Sequence, residues 1–255
     1  MLLLLLIGGN MKKDNKKIIK KIFDKYNLTN EDIDKFMEII TPIYEHREFQ
    51  RRMTKEFLHH GDITLGEHII EDAVVTYMMS KNYIEKHNNV NYDLNIAVII
   101  AMLHDLYTVP WQNNEYSKTR KFLNAHGFRH PIEAVINACS WYPVLFEDLN
   151  DAKKIIDGIV HHMFPFPVLR FKLRDKNLME LKNYELLDKI PIHVKRILVR
   201  VTSRGRIGSL SIARSKYKEG RLMSKADKRV SNTQIKDISC LLSLCTGKNK
   251  KLLSH

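Results

Sequence analysis

From Leu94 to Leu106 the chain is apolar all round a helical wheel, apart from Asn95 and the dyad His104-Asp105 near its end. A helix with no polar face has none to offer to water, so it belongs at the centre of the molecule with other helices around it. The dyad goes inside with it. An imidazole and a carboxylate buried without partners cost several kcal/mol, roughly. A metal ion would satisfy both.

The rest of the chain supplies helices to surround that centre. Residues 11–26 alternate lysine pairs with Ile18, Ile19, Ile22 and Phe23, an amphipathic helix. A second is predicted from Thr29 to Ile40, broken at Thr41-Pro42, and a third, basic one over 43–58, ended by a turn at His59-His60-Gly61-Asp62. Thr64 and Glu67 form a capping box that opens a helix to about Tyr83. His68 lies one turn inside it. Asp72, four residues on, shares its face and is expected to orient the imidazole. Further helices are predicted from Pro131 to Ser140, Asp151 to His162, Leu178 to Leu187, Val194 to Thr202, Gly220 to Val230 and Gln234 to Leu244. No strand pairs or hairpin dipeptides stand out, and the fold class is all-α.

Composition adds boundary conditions. The net charge is +13, with lysines and arginines crowding residues 12–21 and the chain from Lys195 onward. Such charge suits phosphate substrates, RNA or anionic lipid. A solvated basic surface is favoured over a nucleic-acid partner, because no nucleic-acid motif accompanies it. Cys139, Cys240 and Cys245 form no CxxC pair, which points to a reducing, cytoplasmic setting. The run Met1 to Ile7 is shorter than the roughly 20 residues that span a bilayer, and no membrane partner is expected. It also lacks the basic flank of a signal peptide. Met11 is read as the start of the functional chain.

Candidate ligands occur in the order His68, His104-Asp105, His130, His161-His162, Asp227. Imidazole and carboxylate together suit Mn, Fe, Co, Ni or Zn. The set is large enough for two divalent ions: His68, His104, Asp105 and Asp227 for one, and His130 and His162 with a bridging Asp105 for the other.

Six segments in this order resemble the HD-domain superfamily of metal-dependent phosphohydrolases, most closely its small bacterial members. They are Phe57 to Gly61 followed by Gly66-Glu67-His68, Ala101 to Asp105, His126 to Pro131 with Asn137-Ala138, His162 to Pro165, Tyr217 to Gly220, and Ala226-Asp227-Lys228. The resemblance covers roughly residues 45–235. It implies a helical bundle with a metal site at its centre, flanked by a leader and basic helices (1–44) and a basic tail (236–255). Residues 168–214 form an insertion expected to lid the pocket. His68, His104, Asp105 and Asp227 match the superfamily's metal ligands, and His130 and His162 the extra ligands of its dinuclear members. Asp105 would act with a metal-bound hydroxide on a small phosphorylated substrate, and Lys228, His60 and His161 would contact that substrate. Two departures stand out. Many HD enzymes carry Gly-Lys shortly after His-Asp, where this chain has Leu106 to Pro110. The gap between His162 and Asp227 is long, and a competing register would place Val201 to Arg204 at the last motif. Two other readings share the fold: a nucleotide- or RNA-binding module without catalysis, and an HD-type di-iron oxygenase.

Overall fold

The computed structural model describes residues 13–88, 91–110, 126–173 and 184–245. The chain is all-α. In order, the helices are α1 (Lys13–Lys25), α2 (Asn30–Tyr44), α3 (Arg47–Arg52), α4 (Leu65–His87), α5 (Leu94–Leu103), α6 (His126–Trp141), α7 (Leu149–Val160), α8 (Ile192–Val201) and α9 (Lys218–Cys245). Two small antiparallel sheets accompany them. One pairs β1 (Leu58–His60) with β2 (Ile63–Thr64). The other has the order β3 (Val168–Leu169), β5 (Leu210–Ser211), β4 (Arg206–Ile207). Strands of two or three residues are too short to show alternation, so the sequence reading found none of them.

Helix α5 lies at the centre, packed by α4, α7 and α9. Asp93 caps it by accepting the Ile96 amide, and residues Ile96–Val98 and Ile100–Leu103 are buried. Its neighbours come close because two glycines let them. A Cβ on Gly158 of α7 would lie 2.7 Å from Ile100 Cδ1, and one on Gly220 of α9 would lie 2.6 Å from Gly158 Cα. Helices α1 and α2 bury Ile19, Phe23, Phe36 and Ile40 in the same core as α5. No helix among the described residues is long and apolar enough to cross a membrane.

Several boundaries differ from the sequence reading, each for a packing reason. Helix α2 is not broken at Thr41-Pro42 but runs through Pro42 to Tyr44, whose last turn buries Ile43 and Tyr44. The predicted helix over 43–58 shrinks to α3, and its remainder leads into β1. Helix α4 continues past Tyr83 to a left-handed Asn88 cap. Helix α6 starts at His126, before Pro131, which puts His126 and His130 one turn apart with stacked rings. The two predicted C-terminal helices are one, α9. The described residues of 168–214 build a 3-10 helix (Tyr184–Lys189), α8 and the three-stranded sheet, and none of them lines the cavity described below; residues 174–183 of the expected lid lie outside the described residues. Residues 1–12, Trp111, 178–183 and 246–255, with the readings that fall on them, lie outside the described residues.

A buried cluster ties the end of α7 to the β4–β5 hairpin. Asp157 accepts from Ser215 Oγ (2.7 Å) and the Lys216 amide (2.6 Å), and pairs with Arg204. Burial alone would raise its carboxyl. The contacts from His161, Ser215 and Arg204 outweigh that and hold it below the usual carboxylate range. A depressed carboxyl stabilises the fold above its unfolded value near pH 4 and loses that contribution as pH falls through the folded value. Asp157→Asn is therefore expected to cost about 2–3 kcal/mol at pH 7, the buried-pair range discounted for the partly exposed Arg204. It should also flatten acid unfolding below about pH 4. Urea titrations at pH 7 and pH 3 check this, and an equal loss at both would contradict it.

Candidate metal centre

The site forms where α4, α5, α6, α7 and α9 meet. Five buried side chains come from three helices or their ends: His68 and Asp72 from α4, His104 and Asp105 from the end of α5, and Asp227 from α9. His130 of α6 and His162, just past α7, complete the group.

The ring tautomers follow from what each Nδ1 touches. A carbonyl oxygen only accepts, so a ring nitrogen against one must carry the hydrogen. His104 Nδ1 donates to the Ala101 carbonyl (2.7 Å), His162 Nδ1 to Ile159 (2.6 Å) and His130 Nδ1 to His126 (3.2 Å). His68 Nδ1 meets Gln234 Oε1 at 3.0 Å. The amide cannot be turned round, because Gln234 Nε2 donates to Glu71 Oε2 (2.9 Å). Glu71 is itself held by Lys25 and Tyr26. Burial keeps His68, His130 and His162 far below the ordinary histidine value, so they are neutral at pH 7. Their three Nε2 atoms then present lone pairs inward, and the Ala101 contact turns His104 Nε2 the same way.

Those lone pairs face one another and carboxylate oxygens. His130 Nε2 and His162 Nε2 are 3.1 Å apart, and they lie 3.3 and 3.6 Å from Asp105 Oδ1. On the other side, Asp105 Oδ2 is 3.7 Å from His104 Nε2 and 4.0 Å from His68 Nε2. Asp227 Oδ1 is 3.7 Å from His68 Nε2. His68 Nε2, His104 Nε2, Asp105 Oδ1 and both Asp72 oxygens are buried with no hydrogen-bond partner among the described residues. Unmet groups of this kind cost about 1–3 kcal/mol each, more where charged. Burial raises the carboxyls of Asp72 and Asp227, and pushes that of Asp105 up to about 6. His68, Asp72, His104 and Asp227, and separately His104, Asp105 and His162, offer atoms close enough to hold a metal ion. A metal cation would turn these repulsions into bonds.

The site opens into a cavity of about 430 Å³. His60 and Lys228 line it, with Tyr107, Met163, Phe166 and Ile235 among its apolar walls. Lys228 Nζ donates to the Phe164 carbonyl. Burial keeps the His126 ring at about 4, so it too is neutral at the cavity wall.

The structure corrects two of the sequence expectations. His161, expected to meet substrate, is buried against Asp157 and Arg204 and does not line the cavity. Neighbouring residues at a helix end point about 100° apart, and only His162 turns inward. Asp72, expected to orient His68, is on the wrong nitrogen for that role: it lies 3.1 Å from Nε2, while Gln234 holds Nδ1. Residues 201–204 of the competing register sit at the end of α8, where the buried Thr202 hydroxyl donates to the Leu198 carbonyl. His59, read as part of a turn, was missed. Hairpin β1–β2 stacks its ring on His68, with centroids 4.0 Å apart. Its neighbour His60 was the only signal.

Compared with known proteins, the chain matches no family model, no curated protein and no solved structure.

Proposed function

We propose that the chain is a metal-dependent phosphohydrolase of the HD type. Its substrate is a phosphate ester or anhydride of a nucleotide or another small phosphorylated metabolite. One observation carries the reading: His68 Nε2, His104 Nε2, Asp105 Oδ1 and both Asp72 oxygens are buried together with no hydrogen-bond partner among the described residues, with His130, His162 and Asp227 against them, beside a cavity sized for a small molecule. The order of these residues in the chain resembles the HD pattern, which supports the same chemistry.

One or two divalent ions of the Mn, Fe, Co, Ni or Zn type would supply an activated water and a counter-charge for phosphoryl oxygens. The chain's own residues do the rest. Asp105 turns one oxygen to each half of the site and so keeps the two halves in register. Gln234 and the three backbone carbonyls fix the rings with their lone pairs inward. Tyr107, Met163 and Phe166 exclude water and offer apolar surface to the organic part of the substrate. Tyr107 also lies in the segment Leu106 to Pro110, where many HD enzymes carry Gly-Lys, and its hydroxyl has no hydrogen-bond partner among the described residues.

Lys228 takes over the charge that the absent lysine would have carried. It is the one lysine or arginine among the described residues that line the cavity. Moving from the Phe164 carbonyl to a phosphate oxygen gains a charge-assisted hydrogen bond, worth about 1.5–3 kcal/mol. Lys228→Met is expected to raise KM by roughly tenfold or more, with kcat changed much less. An unchanged KM would remove Lys228 from the substrate site.

The reading is tested by elemental analysis of protein purified without chelator, together with a phosphate-ester screen in Mn or Fe. Absence of bound transition metal, with no turnover under either supplement, would refute it. Oxygen uptake without phosphate release would assign the oxygenase reading instead.

A further inference from the structure

The geometry points to Asp72 as a direct ligand of one ion, the one held at the inner half of the site. The inference rests on the proposed metal-dependent function and concerns how its two halves differ. A residue that orients a metal-bound histidine sits on the nitrogen the metal does not use. For His68 that place belongs to Gln234, at Nδ1. Asp72 Oδ2 faces the inward nitrogens of two histidines, 3.1 Å from His68 Nε2 and 3.4 Å from His104 Nε2. Each ring has its Nδ1 hydrogen committed outward, which leaves Nε2 as the nitrogen available to a metal. Asp72 is fully buried, and neither of its oxygens has a hydrogen-bond partner among the described residues. A cation bonded to all three atoms at the usual 2.0–2.2 Å, roughly, would leave them about this far apart.

The inner half then holds His68, Asp72, His104 and Asp227, with Asp105 Oδ2 at its border. The outer half has His130, His162 and Asp105 Oδ1, next to the cavity. Two carboxylates of its own and deeper burial make the inner half the tighter one. The three carboxylates and two divalent ions together leave one net positive charge to receive a phosphoryl group.

Cobalt(II) is the probe, because its visible bands report coordination and bind without any substrate. Metal-free full-length protein titrated with Co²⁺ is expected to load in two steps, the first tighter. Asp72→Asn and Asp72→Ala should weaken the first step by more than about 100-fold, beyond the 10–100-fold typical of a residue that only orients a ligand. The first-step spectrum should change and the second step should survive. Because Asp72 has no donor to lose, the metal-free variants should melt no lower than metal-free wild type. Two unchanged steps with an unchanged spectrum would overturn the inference, as would equal loss of both steps in a folded variant. If neither variant folds, Asp72→Glu decides: it keeps the charge, and a first-step spectrum identical to wild type overturns the assignment. Wild type that binds no Co²⁺ would sink this inference and the proposed function together. Binding with insensitive Asp72 variants sinks this one alone.

Discussion

Asp105→Asn is expected to lower kcat/KM toward any phosphate ester the protein cleaves by about 10³-fold, the upper end for losing one group that organises transition-state charge. The carboxylate serves both halves of the site, Oδ1 toward His130 and His162, and Oδ2 toward His68 and His104. An amide of the same shape has one oxygen. Its NH₂ would donate to one pair of inward nitrogens and occupy the lone pairs that a cation needs. Loss of activity through misfolding is separable. The wild-type carboxyl is pushed up to about 6 by burial, so without metal it burdens the folded state at neutral pH. The metal-free asparagine variant should thus melt no lower than metal-free wild type. Retention of a tenth or more of wild-type kcat/KM would contradict the bridging role.

Removing metal is expected to lower the melting temperature by about 8–16 °C at pH 7.5. A ligand present at 1,000 times its dissociation constant stabilises by about 4 kcal/mol. A domain of this size shifts by about 2–4 °C per kcal/mol. The gap should narrow on acidification, and the sign comes from Asp105. Its raised carboxyl keeps a proton in the metal-free fold up to about pH 6. Metal must displace that proton, so apparent affinity falls about tenfold per pH unit below 6 for this one group. In the metal-free protein the same group favours the fold below about pH 4, and that advantage is lost as pH rises toward 6. Burial holds His68, His130 and His162 well below the ordinary histidine value, so they are neutral at pH 7.5 with or without metal. Scanning calorimetry with and without chelator at pH 5 and pH 7.5 measures both effects. A gap that is absent, or wider at pH 5, would contradict the prediction.

Much of the fold could be read because its signals are local. The Thr64–Glu67 capping box forms as the residues suggest, each side chain meeting the other's backbone amide. Asp93 caps the central helix, whose apolar circumference leaves it no place but the interior. The misreadings have local signals that tertiary packing overrides. Pro42 and Pro131 each look like a helix boundary, and each lies inside a helix because the flanking residues are buried in the core. The β1–β2 hairpin spans too few residues to leave a pattern, so His59 passed as a turn residue.

By itself, the order of residues determined an all-α chain with a polar dyad carried into its centre, and named six side chains that the fold brings within reach of one another. Tertiary structure alone decided which nitrogen of each ring faces inward. It also decided that His162 points to the site while His161 points to Arg204, and that Asp72 meets two lone pairs while Gln234, 166 residues away in sequence, holds the ring. The reason is physical. Periodicity records which face of a helix is buried, but the convergence of atoms from five helices depends on their crossing angles and close approaches, and these arise only when the whole core packs.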